Sequence, residues 1–73
     1  MPVVSGKNVV RALTREGFSV YRVVGSHYVL AHPDDPTRAV IVPVHGNRDL
    51  KPGTLRSIIR QAGFTVEEFT KLL

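Results

Sequence analysis

The first hydrophobic pattern along the chain has the period of an α-helix. Val9, Val10 and Leu13 recur at helical spacing, which predicts one apolar face. Ser5 precedes them and is a good N-cap, because its hydroxyl can accept a hydrogen bond from a free amide of the first turn. Gly17 is a typical stop signal. We therefore expect a helix that begins near Ser5 and ends before Gly17.

The pattern next changes to that of β-strands. Residues 18–24 and 27–32 are rich in β-branched and aromatic side chains, as half-buried strands are. Gly25 and Ser26 alone separate the two runs. We therefore expect a tight hairpin, in which the glycine supplies the positive φ of a type II′ turn.

The hairpin implies a register and leads into a third strand. The predicted pairs are Val24 with His27, Arg22 with Val29 and Val20 with Ala31. Arg22 then lies diagonally across from His27, on the same face of the hairpin. After a looser connection at residues 33–37, a third strand is predicted over residues 39–44. Pro43 has no amide proton, so this strand ends there or lies at a sheet edge.

Two further helices are predicted after the strands. The second helix begins near Pro52, a residue suited to the first helical position, and stops at Gly63. Its apolar face consists of Leu55, Ile58, Ile59 and Ala62. A short third helix is indicated by Thr65 and Glu68, whose spacing is that of a capping box.

These elements predict an α+β fold of the order α-β-β-β-α(-α). Both main helices are amphipathic, so we expect them on one face of a three-stranded antiparallel sheet. The double-stranded-RNA-binding domain has this order of elements, and a similar fold is expected here. With 73 residues, of which 42% are hydrophobic, the chain is expected to form a single domain over residues 1–73 with one thin core.

Composition excludes several classes of protein. The chain has no cysteine, which excludes a disulfide scaffold and any cysteine-ligated zinc or iron–sulfur site. No apolar run approaches the roughly 20 residues that span a bilayer, and the N-terminus lacks a signal-peptide layout. We therefore expect a soluble, cytoplasmic protein that does not bind membranes.

Charge points to an anionic partner. The formal net charge is +4. Residues 1–60 hold nine basic and four acidic residues, a net of +5, whereas residues 61–73 hold one basic and two acidic, a net of −1. Nucleic acid is the first partner to consider for such a basic chain.

Five basic residues are candidates for RNA contacts. Lys7, Arg11 and Arg15 recur every four residues and form one stripe on the first helix, roughly opposite its apolar face. Arg56 and Arg60 have the same spacing on the second helix. Such cations can bind phosphates, but a solvated helix face explains them equally well. Two tyrosines in the strands, at positions 21 and 28, could stack on bases, although packing against the sheet is the simpler role.

His27 is the strongest catalytic candidate. It follows the tight turn, where a strand holds the ring close to solvent, and histidine exchanges protons at physiological pH. Arg22 on the same face could hold a phosphate beside it. Gly25 and Ser26 support this site as turn formers, and a role as oxyanion donors is less favoured. An ordinary polar strand residue is the alternative reading of His27.

The other two histidines have simpler explanations. His32 precedes a proline at a strand end, and His45 precedes a Gly-Asn turn. A three-histidine metal site has no support from helical i, i+4 spacing or an HExxH-like motif. The sequence also lacks P-loop and dinucleotide-binding glycine patterns. We therefore predict no metal and no cofactor.

Three segments together resemble the HicA toxin family, also called YcfA-like. They are the triplet Gly25-Ser26-His27 after a valine-rich strand, VPVHGN at residues 42–47, and LKPGTLRSIIRQAG at residues 50–63. The likeness extends over about residues 5–73. It is the combination and order of the segments that is specific, since a Gly-Ser-His triplet alone is common.

The resemblance implies an activity, a fold and a partner. Members of this family are small mRNA interferases with a double-stranded-RNA-binding-like fold, and each is neutralised by a HicB antitoxin. The catalytic histidine of the family falls on His27, and the glycine two residues before it falls on Gly25. The resemblance therefore implies that His27 is catalytic.

The leading hypothesis is the toxin of a toxin–antitoxin system, an endoribonuclease that cleaves single-stranded mRNA without a metal. His27 would act as base on a ribose 2′-hydroxyl or as acid to the leaving oxygen, and the second proton carrier could be Tyr28, His45, Lys51 or water. A non-catalytic RNA-binding module is the alternative. A third hypothesis is an interaction protein whose basic face binds an acidic protein.

Overall fold

The secondary-structure elements follow the predicted order. The computed structural model describes residues 1–73. Its elements are α1 (Gly6–Arg15), β1 (Ser19–Val24), β2 (His27–His32), β3 (Asp35–Pro43), α2 (Pro52–Gln61) and α3 (Val66–Thr70). The predicted α+β arrangement is therefore confirmed. None of the helices has the length and apolar character needed to cross a membrane.

Local capping signals determine where α1 and α3 begin. The Ser5 hydroxyl accepts a hydrogen bond from the Asn8 amide at 3.2 Å. At α3 the capping box is complete, because the Thr65 hydroxyl accepts from the Glu68 amide at 3.0 Å and Glu68 Oε1 accepts from the Thr65 amide at 2.7 Å. Each bond satisfies an amide that the helix itself leaves free.

The helices pack on one face of the sheet. Leu30, Val40 and Val42 point from this face into the core, and each is at most 1% exposed. They join the apolar faces of the helices in one cluster of buried residues: Val4, Val9, Ala12, Leu13, Phe18, Leu30, Val40, Val42, Leu55, Ile58, Ile59, Ala62 and Phe69. The opposite face, called here the outer face, is not covered by any helix and keeps Ile41 55% exposed.

The register of the first hairpin is partly as predicted. The strands lie in the order β1-β2-β3 and are antiparallel. Val24 pairs with His27, and Arg22 pairs with Val29, as predicted. The predicted pairing of Val20 with Ala31 is wrong, because a β-bulge lies between Val20 and Arg22 and shifts Val20 onto Leu30.

The third strand is longer than predicted. It begins at Asp35 rather than at residue 39, so only a tight turn at Pro33 and Asp34 separates it from β2. The expectation of a loose connection at residues 33–37 is therefore wrong. Proline is tolerated in β3 because this strand lies at the edge of the sheet, where a missing amide proton need not break a ladder.

The N-terminus of α1 lies directly against the end of β3. Gly6 is buried, and a Cβ at this position would overlap the carbonyl oxygen of Pro43. The Leu50 amide donates to the Val4 carbonyl at 2.9 Å beside this contact. The start of α1, the end of β3 and the loop before α2 therefore meet at one end of the molecule.

One basic side chain has a structural role that its charge did not reveal. The Arg38 guanidinium lies 5.2 Å from the centre of the Phe18 ring and 5.3 Å from that of Phe64. Its Nε donates to the carbonyl of Ala62, near the end of α2, at 2.7 Å. Because Gly63 has no side chain, the guanidinium can approach this closely. Arg38 therefore ties β3 to the C-terminus of α2.

Candidate active site

The β1–β2 turn holds His27 at one end of the sheet. Gly25 has a φ of +58°, and Ser26, like every residue other than glycine, does not have a positive φ. A type II′ turn requires this combination at its two central residues. His27 follows as the first residue of β2 and is exposed. The Ser26 carbonyl accepts a hydrogen bond from the Val44 amide at 2.7 Å. The turn is therefore fixed to the chain that leaves β3.

His27 and Arg22 lie on the same side of the hairpin. Both line a depression of about 590 Å³ on the outer face of the sheet. The other lining residues are Tyr21, Val24, Val29 and Ile41. The depression therefore contains a group that can exchange a proton, a permanent cation and a largely apolar floor, and no carboxylate lines it.

Tyr21 reaches this depression because of the β-bulge. In a regular strand, neighbouring side chains point to opposite faces, and Tyr21 would point away from Arg22. With the bulge between Val20 and Arg22, both Tyr21 and Arg22 line the depression. Tyr21 is 63% exposed, so the expectation that it packs against the sheet is wrong. The sequence pattern gave no signal for the bulge, so base stacking by Tyr21 was considered from sequence but ranked below packing against the sheet.

Tyr28 lies on the other side of the sheet. It is half-buried, packs against the core and lines a separate groove of about 390 Å³ with Lys7 and Arg11 of α1. The remaining residues of that groove are Val10, Val44 and Gly46. The packing role predicted for Tyr28 is confirmed, and two cations of the α1 stripe line the same groove.

The α1 stripe is exposed, but its members differ. Lys7 and Arg11 flank the groove, and Arg11 Nη1 donates to Asn8 Oδ1 at 3.4 Å. Arg15 Nη2 instead donates to the Leu72 carbonyl at 2.6 Å. Because this bond ties α1 to the C-terminal residues, Arg15 has a structural contact that the other two lack.

The cations of α2 are separate from both depressions. Arg56 and Arg60 are exposed on that helix and line neither the outer-face depression nor the α1 groove. The structure therefore brings Arg22 to His27 and pairs Lys7 with Arg11, but it does not gather all five predicted RNA-binding residues at one place.

The other two histidines lie apart from His27. His32 Nδ1 accepts a hydrogen bond from the Asp34 amide at 3.2 Å, and its ring meets Phe18 edge-on at 5.2 Å between centres. His45 is exposed in the loop after β3 and lines a third depression with Lys51. No three histidine or carboxylate side chains come together in a way that could hold a metal ion.

Two carboxylates have shifted pKa values, and both shifts belong to local structure. Hydrogen bonds from Thr37, chiefly the one from its hydroxyl, lower the pKa of Asp35. The backbone amide of Thr65, followed by the Thr65 side chain, lowers the pKa of Glu68. One group begins β3 and the other caps α3. Neither lines the depression that holds His27.

Comparison with known families gives one result. The model of the family described as HicA toxin of bacterial toxin–antitoxin systems matches residues 6–64 of the 73-residue chain. The matched part runs from the first residue of α1 to Phe64, before α3, and it includes His27. No curated protein matches the chain.

Proposed function

The chain belongs to the HicA toxin family of bacterial toxin–antitoxin systems, and on this premise we propose that it is an endoribonuclease that cleaves mRNA, with His27 as the catalytic residue. The observation that carries the proposal is the outer-face depression, which both His27 and Arg22 line with no carboxylate among the lining residues. A phosphodiester can approach such a surface without charge repulsion.

The proposed reaction uses the nucleophile that RNA itself supplies. The ribose 2′-oxygen attacks the adjacent phosphorus, its proton passes to the His27 imidazole, and the bond from phosphorus to the 5′-oxygen breaks. The leaving oxygen takes up a proton, which leaves a 2′,3′-cyclic phosphate on one fragment and a 5′-hydroxyl on the other. Positioning and proton transfer are the contributions required of the protein.

Arg22 would hold the phosphate during this step. A guanidinium is permanently charged and can donate two parallel hydrogen bonds to phosphate oxygens. Negative charge on those oxygens increases as the 2′-oxygen attacks, so a cation fixed beside them favours the transition state. Of the four second proton carriers considered from the sequence, Tyr28, His45 and Lys51 line other depressions, so water is the one that remains beside His27.

The remaining cations would bind the RNA strand outside the reaction centre. Lys7 and Arg11 border the α1 groove, and Arg56 and Arg60 are exposed on α2. Contacts to phosphates raise affinity for any RNA sequence and weaken as salt increases. Arg15 contributes less in this proposal, since its guanidinium is already bonded to the Leu72 carbonyl.

The toxin–antitoxin context implies an antitoxin partner, and we propose that it is a HicB-type protein that covers His27 together with the α1 cations. Blocking both of the surfaces that would contact RNA is the simplest way to neutralise such an enzyme. Amide hydrogen exchange of the toxin with and without its antitoxin tests this. Protection at β1, β2 and α1 is expected, whereas protection confined to α3, which contains Glu67 and Glu68, would contradict this proposed mode of inhibition.

The chemistry is tested with two RNAs of the same sequence. One is unmodified and the other carries 2′-O-methyl groups, and both are incubated with the protein in EDTA. The proposal predicts fragments with cyclic phosphate ends from the unmodified RNA and none from the methylated RNA. If both RNAs are bound but neither is cut, the non-catalytic RNA-binding module is the better description. Cleavage of the methylated RNA would rule out attack by the 2′-oxygen.

A further inference from the structure

We propose that Tyr21 is a stacking platform for a nucleobase of the RNA, next to the nucleotide whose phosphate lies at His27. This inference rests on the proposed function and adds to it a residue that contacts the substrate base. It follows from the β-bulge, from the exposure of the ring and from the chemistry of the depression that Tyr21 shares with His27.

The β-bulge is the first argument. It inserts Tyr21 as an extra residue between Val20 and Arg22, so that two consecutive side chains, Tyr21 and Arg22, line the same depression. A bulge weakens the hydrogen-bonded ladder locally, and such features are common where a strand must aim a side chain at a functional site. Here the side chain brought to the site is the one tyrosine of the outer-face depression.

The exposure of the ring is the second argument. Tyr21 is 63% exposed, whereas Tyr28 on the opposite face is half-buried and packs against the core. The fold therefore gains little from the Tyr21 ring, which leaves both the ring and its hydroxyl available to a ligand. Val24 and Ile41, which line the same depression, are 50% and 55% exposed, so the floor of the depression is apolar and open.

The composition of the depression identifies the ligand. Arg22 and His27 suit a phosphate, and the apolar floor with an aromatic ring suits a planar base. Protein surfaces that recognise single-stranded RNA combine these two elements, because every nucleotide presents one phosphate and one base. The absence of carboxylates among the lining residues removes the repulsion that an RNA strand would otherwise meet.

The first test measures binding without cleavage. A short, fluorescently labelled 2′-O-methyl RNA of mixed sequence is titrated with the parent protein, Tyr21→Ala, Tyr21→Phe and Val23→Ala. Val23 is the matched control, because it lies in the same strand and is 51% exposed but pairs with Tyr28 and does not line the depression. Thermal melting of each variant shows that it is folded.

Tyr21→Ala is expected to weaken binding by about 5- to 150-fold, the range that loss of one base–aromatic stack produces. Tyr21→Phe is expected to bind like the parent because it keeps the aromatic ring. Val23→Ala is expected to do so because it leaves the whole depression unchanged. Parent-like affinity of Tyr21→Ala would overturn the proposal. An equal loss in Tyr21→Phe would also overturn it, because the hydroxyl and not the ring face would then make the contact.

A second test asks whether the ring contacts a base. A series of the same oligonucleotides lacks the base at one nucleotide at a time. At one position, removal of the base should weaken binding to the parent protein. The same removal should not weaken binding to Tyr21→Ala any further, because this variant has already lost the stack. If the two losses add at every position, Tyr21 does not stack on a base.

The outcomes also separate this proposal from the proposed function. A parent protein that cuts unmodified RNA while Tyr21→Ala binds normally would preserve the nuclease and overturn the stacking role. A parent that binds through Tyr21 but never cuts would preserve the stacking role and overturn the nuclease. A parent that neither binds nor cuts RNA would overturn both.

Discussion

His27 and Tyr28 are consecutive in the chain, but they line depressions on opposite faces of the sheet. His27 lies on the outer face with Arg22, and Tyr28 lies on the helix side with Lys7 and Arg11. The alternation of side chains along β2 produces this separation. As a result, His27 and the α1 cations lie on two distinct surfaces, and their proposed roles can be tested separately.

Substitution of Arg22 and of Tyr28 should therefore have different effects on cleavage. Arg22→Gln removes the cation beside His27, and we expect the rate of RNA cleavage to fall by about 10²-fold, as for the loss of one group that stabilises developing charge. The cleavage rate of Tyr28→Phe is expected to stay within about 10-fold of the parent rate, because Tyr28 lies on the other face of the sheet from His27. Loss of a general acid or base would lower the rate by more than this. Single-turnover cleavage measures both. A larger loss in Tyr28→Phe would identify Tyr28 as the second proton carrier.

The α1 cations should affect affinity rather than rate. Lys7→Gln and Arg11→Gln are each expected to weaken binding to all RNA sequences alike and to reduce the slope of log affinity against log salt by roughly one. Arg15→Gln should change the slope less, because the Leu72 carbonyl already holds its guanidinium. Titrations at several salt concentrations provide the measurement. Equal effects of all three substitutions would contradict the distinction.

Two glycines at helix N-termini should respond in opposite ways to alanine. Gly6→Ala places a methyl group against the Pro43 carbonyl, and we expect the free energy of unfolding to fall by about 1–3 kcal/mol. Gly53 in α2 has nothing within 4 Å of its Cβ position, so Gly53→Ala should stabilise the protein by about 0.5–1 kcal/mol through helix propensity. Urea denaturation measures both. Equal behaviour would contradict the close approach of α1 to β3.

The capping box of α3 predicts a loss of stability in acid. The Thr65 amide holds the pKa of Glu68 below its ordinary value of 4.5. The contribution of the Glu68 carboxylate to the stability of the fold is therefore complete above pH 4.5. It is lost as the pH falls through the lower pKa of the folded state. Glu68→Gln should remove this part of the pH dependence of the melting temperature, and Glu67→Gln, a neighbour in the same first turn, should keep it. An unchanged pH profile for Glu68→Gln would contradict the prediction.

Local signals made most of the fold predictable. The caps at Ser5 and Thr65 and the turn at Gly25 depend on residues close in sequence, and each lies where the pattern indicated. The start of β3 was missed because proline and aspartate at residues 33–37 usually mark a loop, whereas an edge strand can accommodate them.

The candidate site was less predictable from sequence than the fold. The triplet at residues 25–27 identified the turn and His27, and the hairpin register placed Arg22 beside it. The position of Tyr21 in the depression depends on the β-bulge. The bulge could not be predicted, because the valines and the tyrosine of β1 do not alternate clearly between apolar and polar positions. The difference between Arg15 and its neighbours depends on a contact with Leu72, which is distant in the sequence.

The most direct test of the central claim compares the parent protein with His27→Ala and His45→Ala. Each purified protein is incubated with a long single-stranded RNA in EDTA, and fragment length is followed over time. His45 is the matched control, since it is also exposed but lines a different depression. Cleavage by the parent and by His45→Ala, together with its loss in a folded His27→Ala, is the predicted result. Equal cleavage by His27→Ala would contradict the assignment of His27 as the catalytic residue.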